Sequence, residues 1–437
     1  MKRYLYLILI IILSCVGGFG VYKLKVNFGL DTINNKLTYD LIYKGITGAE
    51  AVTFGNNGEF YIAMQSEIIK ATEGGVSESI IKDNDLSICS IAFYKNKIYF
   101  VSNTTLYFYD LTKKEKKIVL NNIPNYGDYK KSKLLLSGDS LFLTIGAATN
   151  SGVVGDDNDW KKTTNSYDLT PKPITLSGKS SGGDNNGIFL PYGNKGSKGQ
   201  VIGASPLGNA TIIKINLLNN NHELYAWGVR NVEGIDSSST GNIYAVVGGI
   251  EERGLRPVYG DKDYIYEIKG GARWYGWPDY SGGDPVDSPR FRQEGKPKTY
   301  LALENPPTIN PEAPIYQHSA VKNLYCLAID KSGNILKKDS MFVYDDLQKE
   351  VLNISIEGII ERVIKVSKAS NINDIKIQNS KVYMLDGKNG YLYSVYKKTD
   401  ELNMNLSKTN LIYLLSLTII LIGVFVVKLV FTKGNKK

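Results

Sequence analysis

The chain has 437 residues, 11% of them aromatic and 22% charged, with a formal net charge of +9. Lys2, Arg3, Lys23, Lys25, Lys428, Lys433, Lys436 and Lys437 supply eight of those charges, so the body between them is nearly neutral and lacks the basic surface that nucleic acid requires. Three cysteines and two histidines, His222 and His318, without the spacing of a zinc site, argue against a disulfide framework and a structural zinc.

Residues 4–22 carry no charge, and residues 411–431 carry only Lys428, which lies near enough to the end to snorkel. Each run approaches the ~20 residues that a membrane-crossing helix needs. Lys2 and Arg3 precede the first run and Lys433, Lys436 and Lys437 follow the second, so the positive-inside rule puts both tips in the cytoplasm and the body outside. The expected organisation is an N-terminal membrane anchor or signal segment (1–25), a body (37–397), a C-terminal transmembrane helix (411–431) and a basic cytoplasmic tail (432–437). The alternative for the first run is a cleaved signal peptide ending near Gly17, Gly18 and Gly20. Ile12-Leu13-Ser14-Cys15 is a poor lipobox. Either outcome leaves the body extracytoplasmic, and the terminal lysines suit anionic lipid.

The body reads as all-β. Short β-branched and aromatic runs alternate with Gly, Asn and Asp turns, and no useful stretch has helical period. An apolar pair, a turn and an alternating aromatic strand recur six times. The six begin at Ala51-Val52, Ile91-Ala92, Leu134-Leu135, Gly234-Ile235, Leu327-Ala328 and Asp374-Ile375, and run on to Tyr61, Tyr99, Phe142, Tyr244, Phe342 and Tyr383. Where nothing is inserted the period is about 40–48 residues, one four-stranded blade, which predicts a six-bladed β-propeller. Leu37, Tyr39, Leu41 and Tyr43 alternate ahead of the first repeat, so this early strand is expected to complete the last blade beside Tyr391-Leu392-Tyr393. Two insertions break the period, at about 150–208 and 250–318; long loops on a rigid scaffold are where binding usually resides.

Several separated blocks are more specific: Ala226-Trp227-Gly228-Val229-Arg230-Asn231, Glu252-Arg253-Gly254-Leu255-Arg256-Pro257, Asp263-Tyr264-Ile265-Tyr266 and Trp274-Tyr275-Gly276-Trp277-Pro278. With Asn150-Ser151-Gly152, Gly282-Gly283-Asp284-Pro285 and His318-Ser319-Ala320, they resemble the soluble quinoprotein glucose/sorbosone dehydrogenase family over roughly residues 45–397. The resemblance implies a polar pocket at one mouth of the propeller, holding pyrroloquinoline quinone and calcium. It also implies oxidation of a sugar, polyol or aldehyde, with a histidine as base.

Carried over residue by residue, the resemblance implies that Asp128, Arg230 and Asn231 contact the cofactor and that Asp263 binds calcium. Arg230 has two open readings, polarising a carbonyl or holding a neighbouring loop; Asp263 is alternatively a turn residue. The family's histidine falls at Tyr129, and a tyrosine with a reference pKa near 10 is only about 0.1% phenolate at neutral pH. The family's clamping cations fall at Gln348, with Lys349 adjacent, and at Asn371 and Asn373. His318 is either a substitute base or a structural hydrogen bonder. His222 is expected in solvent, and Asp156, Asp157 and Asp159 lack the spacing of a calcium loop. The departures leave two further readings besides the enzyme: a propeller that binds a glycan or polyol without chemistry, and a surface interaction scaffold.

Overall fold

A computed structural model describes residues 29–398 except 74, 163–165 and 182–184. Within the unit Asp31–Lys397 it is a six-bladed β-propeller, and the described residues contain no α-helix, only strands and two short 3-10 turns. No helix among them is long and apolar enough to cross a membrane. The two runs expected to do so, 4–22 and 411–431, and the tail 432–437 lie outside the described residues.

Each predicted repeat is the inner hairpin of one blade. The innermost strands are Ala49–Phe54, Ile88–Tyr94, Leu134–Ser137, Val232–Ser237, Leu324–Ile329 and Ile372–Gln378, each paired antiparallel with the strand that follows. The sixth blade takes its outer strand from the beginning of the body: Leu37–Lys44 pairs antiparallel with Tyr391–Lys397, Leu37 opposite Lys397 and Lys44 opposite Tyr391. The alternation of Leu37, Tyr39, Leu41 and Tyr43 therefore serves the closure expected of it.

Apolar side chains on alternate strand positions fill the seams between blades. Between the first and second blades Tyr61 stacks on Phe93 with ring centroids 5.5 Å apart, over the buried side chains Ile68, Ile91 and Phe100. Between the sixth and first, Phe54, Phe60 and Tyr383 make a three-ring cluster. Each such side chain contributes about 1.5–3 kcal/mol by leaving water. The inner strands have an unpaired edge facing the axis, and their polar side chains answer it. Ser90 accepts from the Leu134 amide at 3.0 Å, Asp236 from Ile329 at 2.9 Å and Asp374 from Val52 at 3.0 Å, each across a seam.

The channel between the inner strands is nearly filled. Glu50, Cys89, Lys133, Glu233, Cys326, Asp374 and Lys376 surround a space of about 20 Å³, enough for roughly one water. Both cysteines are free thiols, and burial pushes them up, Cys89 to about 11 and Cys326 to about 12, so they are unreactive there.

The two insertions share a hydrophobic core of their own. Ile174, Leu176, Ile188 and Phe189 from the first pack with Trp274, Trp277, Tyr280, Phe291 and Leu303 from the second. Arg256 pins this layer: its side chain is 0% exposed, ion-paired with Asp279 at 2.6 Å, and donates to the carbonyls of Ser151, Pro278 and Tyr300.

Candidate functional site

The inner strands begin on one face of the ring, here the upper face, and the candidate residues lie where they begin. Tyr129 precedes the third inner strand, Arg230 and Asn231 precede the fourth, and the loop after Ile243–Val247 brings Glu251 and Arg253 over them. Glycine makes the approach possible. A Cβ on Gly146 would fall 2.1 Å from the Tyr129 carbonyl oxygen. One on Gly127, whose φ is +85°, would fall 2.3 Å from that of Ala148.

Around Tyr129 the polar groups close on one another. Its hydroxyl donates to Glu251 and accepts from Arg230; Arg253 Nη2 donates to the same oxygen at 2.8 Å. Both lone pairs and the proton are thus committed. The Arg230 guanidinium also lies 4.1 Å from the Tyr129 ring centroid, a cation–π contact. Burial, ahead of the opposing field of Arg230, pushes the Tyr129 phenol well above its ordinary value, so it stays protonated.

Arg230 is 4% exposed. Nε donates to the Asn150 carbonyl at 2.8 Å, Nη2 to Asn150 Oδ1 at 2.7 Å and Glu251 Oε1 at 3.0 Å, and Nη1 faces the Gly248 carbonyl at 3.4 Å. These contacts tie the loops that carry Asn150, Gly248 and Glu251 to one another. Asn231 turns toward the channel, donating to Glu233 Oε1 at 2.6 Å, where burial raises the Glu233 carboxyl.

Asp128 accepts from Asn158 Nδ2 at 3.0 Å, Trp160 Nε1 at 2.8 Å and Arg253 Nη2 at 2.7 Å. Arg253 also holds Asp157 at 2.6 Å and Glu251 at 2.9 Å. Burial alone would raise the Glu251 carboxyl, but Arg230, with Lys322, Tyr129 and Arg253, holds it down at about 2. Glu251, Arg253, Asn150 and Lys322 complete this network and were not singled out in the sequence. Asn150 and Arg253 lie in blocks that carry the resemblance, but nothing in those blocks marks which side chains turn inward.

Asp263 is buried, and its carboxylate accepts four backbone amides: Gly249 at 3.1 Å and Lys322 at 3.2 Å on Oδ1, Asn323 at 2.8 Å and Leu324 at 3.0 Å on Oδ2. A carboxylate offers about four lone-pair directions, and all are taken. Its work is to fasten the loop entering the fifth blade. Among the described residues no group of three or more His, Cys, Asp or Glu side chains is arranged to hold a metal. With its four lone-pair directions given to amides, the Asp263 carboxylate has none left for calcium.

His318 is buried outside the Tyr129 network. Nδ1 faces the Tyr316 hydroxyl at 3.0 Å, and Nε2 lies 3.5 Å from Asp345. Burial lowers its pKa, against the field of Asp345, so the ring is neutral at pH 7. His222 is exposed. At the expected quinone clamp, Lys349 is paired with Asp346 at 2.5 Å, and Asn371 donates to Asn373 at 2.6 Å, which in turn donates to the Ala49 carbonyl. A tricarboxylate quinone finds one already neutralised lysine there, and the residues present do not fit it.

No family model matches the chain, and no curated protein matches it. Solved structures share its fold. A Trichoderma reesei carbohydrate-active enzyme of family AA12, in its calcium structure, superposes with a TM-score of 0.58 at 14% identity, over 85% of this chain and 98% of that one. The holo PQQ domain of pyranose dehydrogenase from Coprinopsis cinerea gives 0.56 at 12%, over 85% and 97%. The PQQ-bound aldose sugar dehydrogenase from Streptomyces coelicolor gives 0.53 at 12%, over 83% and 99%. At such identities the likeness is one of fold, and it is the six-bladed fold that the resemblance in the sequence implied.

Proposed function

We propose that the protein is a membrane-anchored, extracytoplasmic propeller of the glucose/sorbosone dehydrogenase type that binds a sugar or polyol at its upper mouth without oxidising it. The observation that carries this reading is the closed network at Tyr129. The residue at the family's base position spends its proton on Glu251 and its lone pairs on Arg230 and Arg253, so it can take no proton from a substrate hydroxyl. The rim still offers hydrogen-bonding groups suited to hydroxyls: Lys131, Lys322 and Asn371 are exposed and Tyr325 is partly exposed. Anchoring rests on the uncharged runs 4–22 and 411–431 and on the lysines that flank them.

The second reading, quinone-dependent oxidation of a sugar, polyol or aldehyde, draws on the fold shared with the pyranose and aldose sugar dehydrogenases. It needs His318 as base, because the pKa of Tyr129 is raised. Dye-linked oxidation of aldoses, polyols and aldehydes by the full-length protein, with pyrroloquinoline quinone and calcium added, separates the two when paired with calorimetric binding to the same panel. Binding without turnover is expected. Turnover that disappears in His318→Ala would establish the enzyme instead. Protease added to intact cells should digest the body while tags at both tips stay protected; a protected body overturns the topology.

A further inference from the structure

The two insertions leave an open groove of about 570 Å³ on the outer wall of the third blade, within the size of ordinary ligand clefts. There the strand Arg273–Trp274 of the second insertion is added parallel to His222–Trp227, with Trp274 opposite Trp227. The indoles of Trp227 and Trp274 form the floor, ring centroids 6.0 Å apart and both buried. Their Nε1 groups donate to the carbonyls of Ala272 at 3.1 Å and Trp277 at 3.0 Å, so the floor presents apolar edges. Lys172 and Pro173 of the first insertion line one side, and residues from 305–312 of the second line the other. Pro173, Pro307 and Pro311 have fixed φ, which keeps these walls stiff.

Polar groups on the walls are left without partners. Lys172 is exposed, and among the described residues its ammonium makes no hydrogen bond or ion pair; the same holds for the side-chain amides of Asn305 and Asn310. The Thr308 hydroxyl accepts from the Asn310 backbone amide at 3.1 Å and keeps its own proton to donate. Among the described residues that line the groove Glu312 is the one acid, and it is shared: Oε2 accepts from Lys269 at 3.0 Å and Oε1 from Arg273. Lys269 and Arg273 hold its carboxyl below the ordinary carboxylate range. Three cations thus face one carboxylate. In the funnel of about 530 Å³ lined by Phe54 and Phe93, by contrast, Lys331 and Lys376 each already have an acid, Asp236 at 3.2 Å and Asp374 at 3.5 Å.

A sugar ring presents an apolar face of C–H groups and a rim of hydroxyls that both donate and accept. Proline rings and indole edges suit the first, and carboxamides, which also donate and accept, suit the second. The unbalanced cations call for negative charge on the ligand. Arg273 gives Nη1 to Glu312 and is 47% exposed, which leaves the rest of its planar fork for a carboxylate or phosphate beside the Lys172 ammonium.

We infer that this groove is a second binding site and that it takes an acidic saccharide, its hydroxyls meeting Asn305 and Asn310 and its anionic group held by Lys172 and Arg273. Tyr129, Arg230, Glu251 and Arg253 do not line the groove, so it is distinct from the mouth and does not depend on what the mouth binds.

The full-length protein in detergent is titrated calorimetrically with four probes: a galacturonic acid oligomer, a mannose phosphate oligomer, a neutral malto-oligomer of the same length and polyglutamate. At least one acidic saccharide is expected to bind more tightly than the neutral oligomer and polyglutamate, and which one binds tells carboxylate from phosphate. Lys172→Glu should weaken that binding about tenfold or more, and Asn310→Ala several-fold, because each removes a hydrogen bond to the ligand and the first also reverses a charge. Neither side chain has a hydrogen-bond partner to lose, so both variants should keep the parent's urea midpoint, while Lys322→Ala at the mouth should leave the binding unchanged. Binding that weakens in Lys322→Ala but in neither groove variant belongs to the mouth and overturns the inference. Equal binding of the neutral oligomer overturns the acidic assignment, and equal binding of polyglutamate overturns the saccharide. Binding of neither acidic saccharide overturns the site.

Discussion

Arg256 and Asp279 meet at 2.6 Å within the second insertion, with side chains 0% and 1% exposed, and Arg256 ties that insertion to the first through the Ser151 carbonyl. Asp279 also accepts the amides of Ala302 and Leu303 at 2.8–3.0 Å. Removing one member of such a pair leaves an uncompensated buried charge, so Arg256→Ala should destabilise the protein by about 3–5 kcal/mol. Arg256→Lys should rescue little of it, because a single ammonium cannot reach Asp279 and three carbonyls at once. Equilibrium denaturation in urea measures both; a loss confined to the noise would show that the insertions hold together without the pair.

The Glu251 carboxyl, held at about 2 by Arg230 and its neighbours, titrates near 4.3 in an unfolded chain. A depressed carboxylate stabilises above the unfolded value, and that contribution is lost as pH falls from about 4.3 through about 2. The denaturation midpoint should therefore drop over this window. In Glu251→Gln the protein should be less stable at pH 7 and show a shallower fall in acid. Parallel acid limbs for the two proteins would contradict the network.

Asp168 behaves in the opposite sense. It is 0% exposed, and burial raises its carboxyl to about 7, although Thr149 and the amides of Ala148 and Thr149 donate to it. A raised carboxyl binds a proton more tightly folded than unfolded, so its contribution is present below about pH 4 and is lost as pH rises toward 7. Asp168→Asn should remove that slope between pH 4 and 7, which denaturation midpoints at successive pH values would reveal.

Tyr129→Phe deletes the hydroxyl that joins Arg230, Arg253 and Glu251 and should cost about 1–3 kcal/mol of stability, since the buried donors and acceptor lose a partner. Tyr129→His restores the family's base but not its clamping cations. No oxidation of any sugar, polyol or aldehyde should appear in the dye-linked assay with quinone and calcium present. Activity in Tyr129→His would show that one side chain, and not the whole mouth, separates this protein from the dehydrogenases.

The blades were legible because each inner hairpin carries its own signal. In Ile91-Ala92-Phe93 through Tyr99 the alternation and the Lys95-Asn96 turn are local, and both turn residues have the positive φ of a tight hairpin. The site was less legible because its contacts are distant in the chain. Tyr129 and Glu251 are 122 positions apart, and neither type says which partner it will meet. Asp263 is instructive in another way: its acceptors are filled by backbone amides, three of them from the segment entering the next blade, and an amide leaves no mark in composition. The common core of the insertions was hidden too, because Phe189, Trp277 and Leu303 sit in irregular backbone without the period that flags a strand.

The ladder between Leu37–Lys44 and Tyr391–Lys397 is the buckle of the ring, and the strand ahead of it, Leu30–Thr32, is hydrogen-bonded into the fifth blade. A pull on the Lys397 end peels the ladder one rung at a time from the Leu37–Lys397 pair. A pull on the residues before Leu37 must first strip Leu30–Thr32 and the bonds of Ile33 and Asn34 to Val363 from the neighbouring blade. The ring is thus opened more easily from its C-terminal side than from its N-terminal side.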